Sequence, residues 1–202
     1  MPYKSQWAAG VVYPENLFNF EDCAFLFNNT NKATRGIIRM NIDEAALLWR
    51  ICRYNPGNVA EVGRAEGGST LLMAAAAKPY GVFSIDLDPV DDENLMDIAT
   101  MFGLRLNIEL CVGDSQTMDL SDHHESYSVV FIDGDHTYAG VKADFENWLP
   151  TVKIGGRIAF HDVNDPTLEN HGPSQLYAEL IYDKRLEEEA TAGSLKVFRR
   201  LK

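Results

Sequence analysis

Basic residues are few. The 202-residue chain sets 18 Lys and Arg against 30 Asp and Glu, a formal net charge of -12. Nucleic-acid affinity rests on neutralising phosphates, and no basic stripe is present. RNA, DNA and anionic membrane surfaces are therefore not expected as partners, whereas a cation is readily accommodated. Cysteine is scarce too: Cys23, Cys52 and Cys111 are far apart, odd in number and form no C-x-x-C pair. That argues against a thiolate zinc site or a redox dithiol, and the three read as small buried hydrophobes in a reduced, cytoplasmic setting. The longest unbroken apolar run is Leu71–Ala77, far short of the ~20 residues of a membrane-spanning helix. The opening MPYKSQWAAG has no basic start followed by an apolar stretch, so no secretory signal is expected. What remains is 46% apolar and 24% charged, a globular composition rather than a disordered, collagen-like or disulfide-scaffold one.

Residues 1–36 show no period of 2 or 3.6 and are rich in aromatics and Asn, as in NLFNFEDCAFLFNNTN. They read as an N-terminal lid or partner segment, with a homodimer contact among its uses, ahead of a domain spanning 37–202. From Asn41 the pattern sharpens. Asn41 with Glu44 makes a pair of capping-box type, and IDEAALLWRICRY follows as a helix closed by Asn55-Pro56-Gly57. Strands are expected at 58–62, 81–85, 107–112, 128–132 and 157–160. Helices are expected at 69–77, 91–102, 138–149 and 173–183, with Lys153–Gly156 as a turn and a terminal hairpin over 186–191 and 194–200. Strands alternating with helices specify a mainly parallel sheet covered on both faces.

In such sheets ligands bind beyond the carboxyl ends of the strands. Each strand end here carries an acid: Glu61, Asp86, Asp114, Asp133 with Asp135 and His136, and His161-Asp162. One strand-end acid can simply cap the next helix; five along one edge form a pattern. The first turn, Glu61-Val62-Gly63-Arg64-Ala65-Glu66-Gly67-Gly68-Ser69, lacks the Lys of a P-loop and reads G-x-x-x-G-G rather than the dinucleotide G-x-G-x-x-G. Its width suits a ligand without a pyrophosphate. Asp86 lies 25 positions after Glu61, where nucleoside-binding sheets place an acid that accepts from the ribose hydroxyls.

The stretches AEVGRAEGGST, FSIDLDP, CVGDSQ, VVFIDGDHTYAGVKADFENWLP and KIGGRIAFHDV resemble, in order and spacing, the class I S-adenosylmethionine-dependent methyltransferases. The last two are similar to the branch of small-molecule and sugar O-methyltransferases grouped with macrocin-type and cephalosporin-hydroxylase-like proteins. The resemblance implies a Rossmann-like three-layer α/β sandwich, with a mainly parallel seven-stranded sheet and a C-terminal antiparallel hairpin. It implies that Glu61, Gly63 and Gly67 shape the loop around the methionine part of the cofactor, that Ser69 binds its carboxylate, and that Asp86 holds the ribose. Asp114 and Ser115 would flank the adenine. Asp133 and His136 would border the methyl group and a small-molecule acceptor.

An acidic edge suits a sulfonium cation. Two carboxylates ~5 Å apart repel by roughly 3 kcal/mol at an effective dielectric of 20, which Mg²⁺ or another divalent cation would relieve while lowering the pKa of a bound hydroxyl. The expected ligands are Asp133, His161 and Asp162. The His161-Asp162 pair departs from the Asp-Asn or double acid of metal-dependent relatives. Without a metal, His136 or His161 is the expected general base. His123-His124 and Glu187–Glu189 are expected on solvated faces, Trp148 in the core, and His171 as a substrate contact or a cap. Two other readings stand beside this one: a nicotinamide-dependent oxidoreductase on a similar sheet, and a binding module that keeps the fold without catalysis.

Overall fold

A computed structural model of the chain describes residues 13–27, 37–164 and 172–202. His171 and most of the segment 1–36 lie outside these residues. The elements run α1 Ile42–Tyr54, β1 Asn58–Val62, α2 Gly68–Ala77, β2 Val82–Asp86, α3 Asp92–Met101, β3 Ile108–Val112, β4 Tyr127–Ile132, α4 Tyr138–Trp148, β5 Val152–Phe160, α5 Gly172–Leu180, β6 Leu186–Ala192 and β7 Leu195–Arg200. The seven strands form one sheet in the order β3-β2-β1-β4-β5-β7-β6. Pairings are parallel from β3 through β5, and β7 is antiparallel to both β5 and β6. The sequence-based reading of a Rossmann-like sheet ending in a hairpin therefore holds. Strand order reverses between β1 and β4, which places the ligand crevice of this topology there.

Alternation along the strands builds two cores. Val59, Val129, Phe131 and Ala159 face α1, α2 and α3. Ala60, Val62, Val130, Ile132, Ile158 and Phe160 face α4 and α5. Burial on both faces removes the need for polar residues inside the strands, so the polar residues gather at the strand ends. Trp148 is fully buried, as expected. Before α1, a 3-10 turn at Phe20–Phe27 buries Cys23, Phe25 and Leu26 in the first of these cores. No helix among the described residues is long and apolar enough to cross a membrane.

Two local readings change. The expected turn at Lys153–Gly156 is an irregularity inside a longer β5: Tyr127 pairs with Val152 and Val129 already with Arg157, so four residues bow out between paired positions. His123 is not merely solvated; it stacks on Tyr127 at 5.8 Å and 9°, with its Nδ1 2.9 Å from the tyrosine hydroxyl. Glu187–Glu189 are exposed as expected.

Candidate active site

The ladder hydrogen bonds continue past the strands and register the acidic edge. Gly113 N–H donates to Asp86 O at 3.0 Å, Gly63 to Ile85 O at 2.9 Å, Asp133 to Val62 O at 2.8 Å and His161 to Ile132 O at 3.1 Å. The expected site residues after β1, β2, β4 and β5 are therefore neighbours along one edge.

The β1–α2 turn is held from three sides. Gly63 has φ +82, and a Cβ there would stand 2.2 Å from the carbonyl oxygen of Asp133, so only glycine lets this turn meet the β4 loop. Glu61 is fully buried. Its carboxylate accepts from the hydroxyls of Ser69, Thr70 and Ser84, tying β1 to the first turn of α2 and to β2. Burial pushes its pKa up to about 7, the three hydroxyl donors opposing this. Since the Ser69 hydroxyl is engaged with Glu61, what α2 offers a ligand at this point is the backbone N–H groups of its first turn. Arg64 was read only as a turn residue. Its guanidinium is buried, forms a two-pronged pair with Asp92 at 2.7 and 2.6 Å, and donates to the carbonyls of Cys111 and Ser84 at 2.8 and 3.2 Å.

Asp86 is the hub of the next stretch. One carboxylate oxygen accepts from the N–H groups of Arg64 at 2.8 Å and Ala65 at 2.9 Å, the other from Asp88 at 2.9 Å. Burial alone would raise its pKa, but these N–H donors and the Arg64 charge hold it below the usual value. It remains half-buried, a charged acceptor able to take further hydroxyl donors. Asp114 caps its own turn, accepting from Gln116 N–H at 2.9 Å and the Thr117 hydroxyl at 2.9 Å. Asp135 likewise accepts from Thr137 N–H at 2.8 Å. Ser115 donates to Asp144 at 2.6 Å.

Between β4 and β5 lies a charged cluster. His136 Nε2 is 2.6 Å from Asp162 Oδ2 and 3.9 Å from Asp133 Oδ1. His161 turns inward: its Nδ1 lies 3.3 Å from both Asp133 Oδ1 and Asp162 Oδ1, aligned for a hydrogen bond with neither, and its Nε2 is 3.4 Å from Glu44. Burial would push the His161 pKa down; the Asp133 charge, with Asp162 and Glu44 beside it, outweighs this and pushes it up to about 12. Asp162 adopts φ +58, a left-handed conformation that Asp tolerates and that recurs at functional sites. Against the desolvation of its own carboxylate, the two histidines hold it well below the usual range. Among the described residues, the group with metal-ligating geometry is Asp133, His136 and Asp162, whose ligand atoms lie within 4.8 Å of one another. The nitrogen in that group is His136; the expected ligand His161 faces the same two aspartates, its Nδ1 3.3 Å from each.

Glu44, read in the sequence only as a helix cap, belongs to this cluster. It is buried on α1, accepts from Asn41 N–H at 2.7 Å as a cap should, and also from Ser194 N–H at 2.7 Å and its hydroxyl at 2.8 Å in the β6–β7 turn. Burial would raise its pKa; hydrogen bonds from His161, Asn41 and Ser194 bring it down to about 2. The cap spacing was visible in the sequence, but nothing local announced Ser194.

A family described as a methyltransferase domain matches residues 60–163, from β1 to the exit of β5. The uncharacterized protein y4gI of Sinorhizobium fredii is 39% identical in an alignment of 148 positions that covers 66% of this chain and 16% of that protein. The chain thus spans a small part of that relative's length. The O-methyltransferase from Bacillus cereus in complex with SAH gives a TM-score of 0.67 at 18% identity, over 98% of this chain and 96% of that one. The O-methyltransferase TomG from Streptomyces achromogenes, involved in tomaymycin synthesis and in complex with SAM, gives 0.66 at 16% identity, over 96% and 93%. These two likenesses are of fold. By the match across its first five strands and their loops, the chain belongs to the methyltransferase-domain family.

Proposed function

We propose that the chain transfers a methyl group from S-adenosylmethionine to a hydroxyl oxygen of a small molecule of sugar or natural-product type. The observation that carries this reading is Asp86: a charged carboxylate at the end of β2, beside the topological switch point, gripped by N–H groups of the β1–α2 turn. The donor set fits the cofactor. The residues offer an acid for two ribose hydroxyls, a glycine turn pressed against the β4 loop, and a carboxylate-lined edge for a sulfonium. When bound, S-adenosylmethionine supplies an electrophilic methyl on a cationic sulfur, which leaves as a neutral thioether once the acceptor oxygen bonds to carbon.

The chain's residues align and deprotonate. Asp133 and Asp162 frame the point where the acceptor enters, and alignment is the larger part of such a displacement. Asp162 holds Nε2 of His136, leaving Nδ1 as the atom assigned to take the hydroxyl proton. Asp162, largest in effect, and Asp133 raise the His136 pKa against partial burial, which makes the neutral ring a stronger base. Asp133, His136 and Asp162 also fit a divalent cation; two carboxylate oxygens and an imidazole nitrogen accept a transition ion more readily than Mg²⁺. Such an ion would lower the pKa of the acceptor hydroxyl. Residues 1–36 serve as the lid in this reading.

Calorimetry with S-adenosylhomocysteine tests the proposal. Wild-type protein is expected to bind it and to ignore NADH. Asp86→Ala is expected to weaken binding by about a hundredfold or more, two hydrogen bonds to a charged group being lost, while cooperative unfolding persists. Unchanged affinity in that variant would refute the ribose assignment. Binding without turnover on any hydroxyl acceptor would favour the non-catalytic module.

A further inference from the structure

We propose that the end of the sheet opposite the acidic edge holds a second binding site, one for a small organic cation with an aromatic body. Strands β1 and β2 run between the two ends: Asp86 closes β2, whereas Asn58 and Val82 open β1 and β2. At these opening residues lies a cavity of about 320 Å³, lined chiefly by Asn58, Phe83, Asn107, Glu109, His123 and Tyr127. That volume is at the small end of ligand pockets. The cavity follows from how the sheet is covered. Helices α1, α2 and α3 pack on one face. On the other, the connection from β3 to β4 has no α-helix and carries a 3-10 turn at Ser121–His123. Leu120 of that connection is buried with Ile85 and Phe83; beyond it the cavity opens over the Phe83 ring.

The walls are held by bonds of their own. Asn58 Oδ1 accepts from Gly81 N–H at 3.1 Å, and Asn107 Nδ2 donates to the carbonyls of Pro79 and Tyr80 at 2.8 and 3.3 Å. The Phe83 ring centre lies 5.9 Å from that of His123, 6.5 Å from Tyr127 and 6.1 Å from Trp148. Burial, and after it the Glu109 charge, push the Tyr127 pKa up to about 12, so the phenol keeps its proton. In the neutral His123 ring, Nδ1 accepts from that hydroxyl at 2.9 Å, and the two polar groups of the aromatic wall satisfy each other. Glu109 differs. It pairs with Phe83 across β3 and β2, so its carboxylate and the ring share one face of the sheet. It is exposed and has no hydrogen bond or ion pair among the described residues, and no Lys or Arg lines the cavity. An anion would meet that carboxylate with no base to screen it. An ammonium group answers it by charge and is drawn to the ring faces beside it, while an attached ring packs against Phe83.

The probe is 2-phenylethylamine, compared by calorimetry with 2-phenylethanol, a neutral molecule of the same shape, and with phenylacetate, an anion. Wild type is expected to bind the amine about tenfold or more tightly than the alcohol, as one charge-assisted hydrogen bond with a cation–π contact would give, and not to bind phenylacetate. Glu109→Gln changes an exposed side chain to one of equal size, so it should fold as wild type does and erase the preference for the amine. Asp133→Asn, at the opposite edge, should leave that preference alone. An undiminished preference in Glu109→Gln overturns the inference, and its loss in Asp133→Asn instead would put the cation at the carboxyl-end cluster. Failure of wild type to bind the amine, or to prefer it over the alcohol, overturns the inference as well. None of these measurements involves S-adenosylhomocysteine, so the methyltransferase reading stands or falls separately.

Discussion

Glu61 is a carboxyl group with no exposed surface and three hydroxyls directed at it. Its pKa rises from 4.5 to about 7 on folding. Between those values the folded chain binds the extra proton, so this residue's contribution to stability declines as pH increases across that window, by about 3 kcal/mol in all. Glu61→Gln is expected to abolish this slope: the difference in urea unfolding free energy between variant and wild type should drift in the variant's favour from pH 4.5 to 7. Parallel curves would show that Glu61 is ionised throughout. The two histidines illustrate what spacing conceals at this scale. His136 and His161 each follow a strand end, and both were candidates for the general base in the sequence. Their separation into an outward and an inward ring depends on a buried Glu on another helix and on the left-handed backbone of Asp162, neither of which leaves a trace in residue type or periodicity.

At the scale of elements, the strand–turn–helix units were readable because their signals are local: a glycine pair, an apolar run, an acid where the run stops. β5 was read short because Lys153–Gly156 has turn composition, and the chain does bow there before pairing resumes. Arg64 was missed for a different reason. A lone base in a glycine turn reads as solvent-facing, and its partner lies 28 residues on in α3. The pair fastens the β1–α2 turn to β2, β3 and α3, so Arg64→Ala should cost about 3 kcal/mol, as breaking buried pairs does, and should loosen S-adenosylhomocysteine binding about tenfold through the misplaced N–H groups facing Asp86. Replacing both partners, Arg64→Met with Asp92→Leu, should restore most of the stability by thermal melting but not the affinity. Recovery of both would mean that the pair serves the fold alone.

Across the whole molecule, helix α1, the centre of the sheet and the hairpin converge on Glu44. Its contacts reach 117 residues to His161 and 150 residues to Ser194. The hairpin turn returns the tie, its Ser194 carbonyl accepting from Val163 N–H at 3.0 Å just past Asp162. Glu44→Gln should therefore lower kcat by about tenfold, by disturbing how His161 seats the two aspartates, with little change in cofactor affinity, because Asp86 lies on the other side of the switch point. A steady-state measurement paired with calorimetry separates the two; an equal loss in both would place Glu44 in general scaffolding. Pairings at such separation cannot be read from a linear pattern, which is why the acids along the strand ends were more legible than the cluster that Glu44 and Ser194 complete.

The same tie sets an order of events during synthesis. Glu44, Asp133, His161 and Asp162 all emerge from the ribosome before Ser194 does. Until the β6–β7 turn has been translated and has swung back onto α1, the Glu44 carboxylate lacks two of its donors and the segment beyond Asp162 lacks its anchor. A nascent chain can thus assemble the edge around Asp86 early, while the cluster around Glu44 waits for the β6–β7 hairpin.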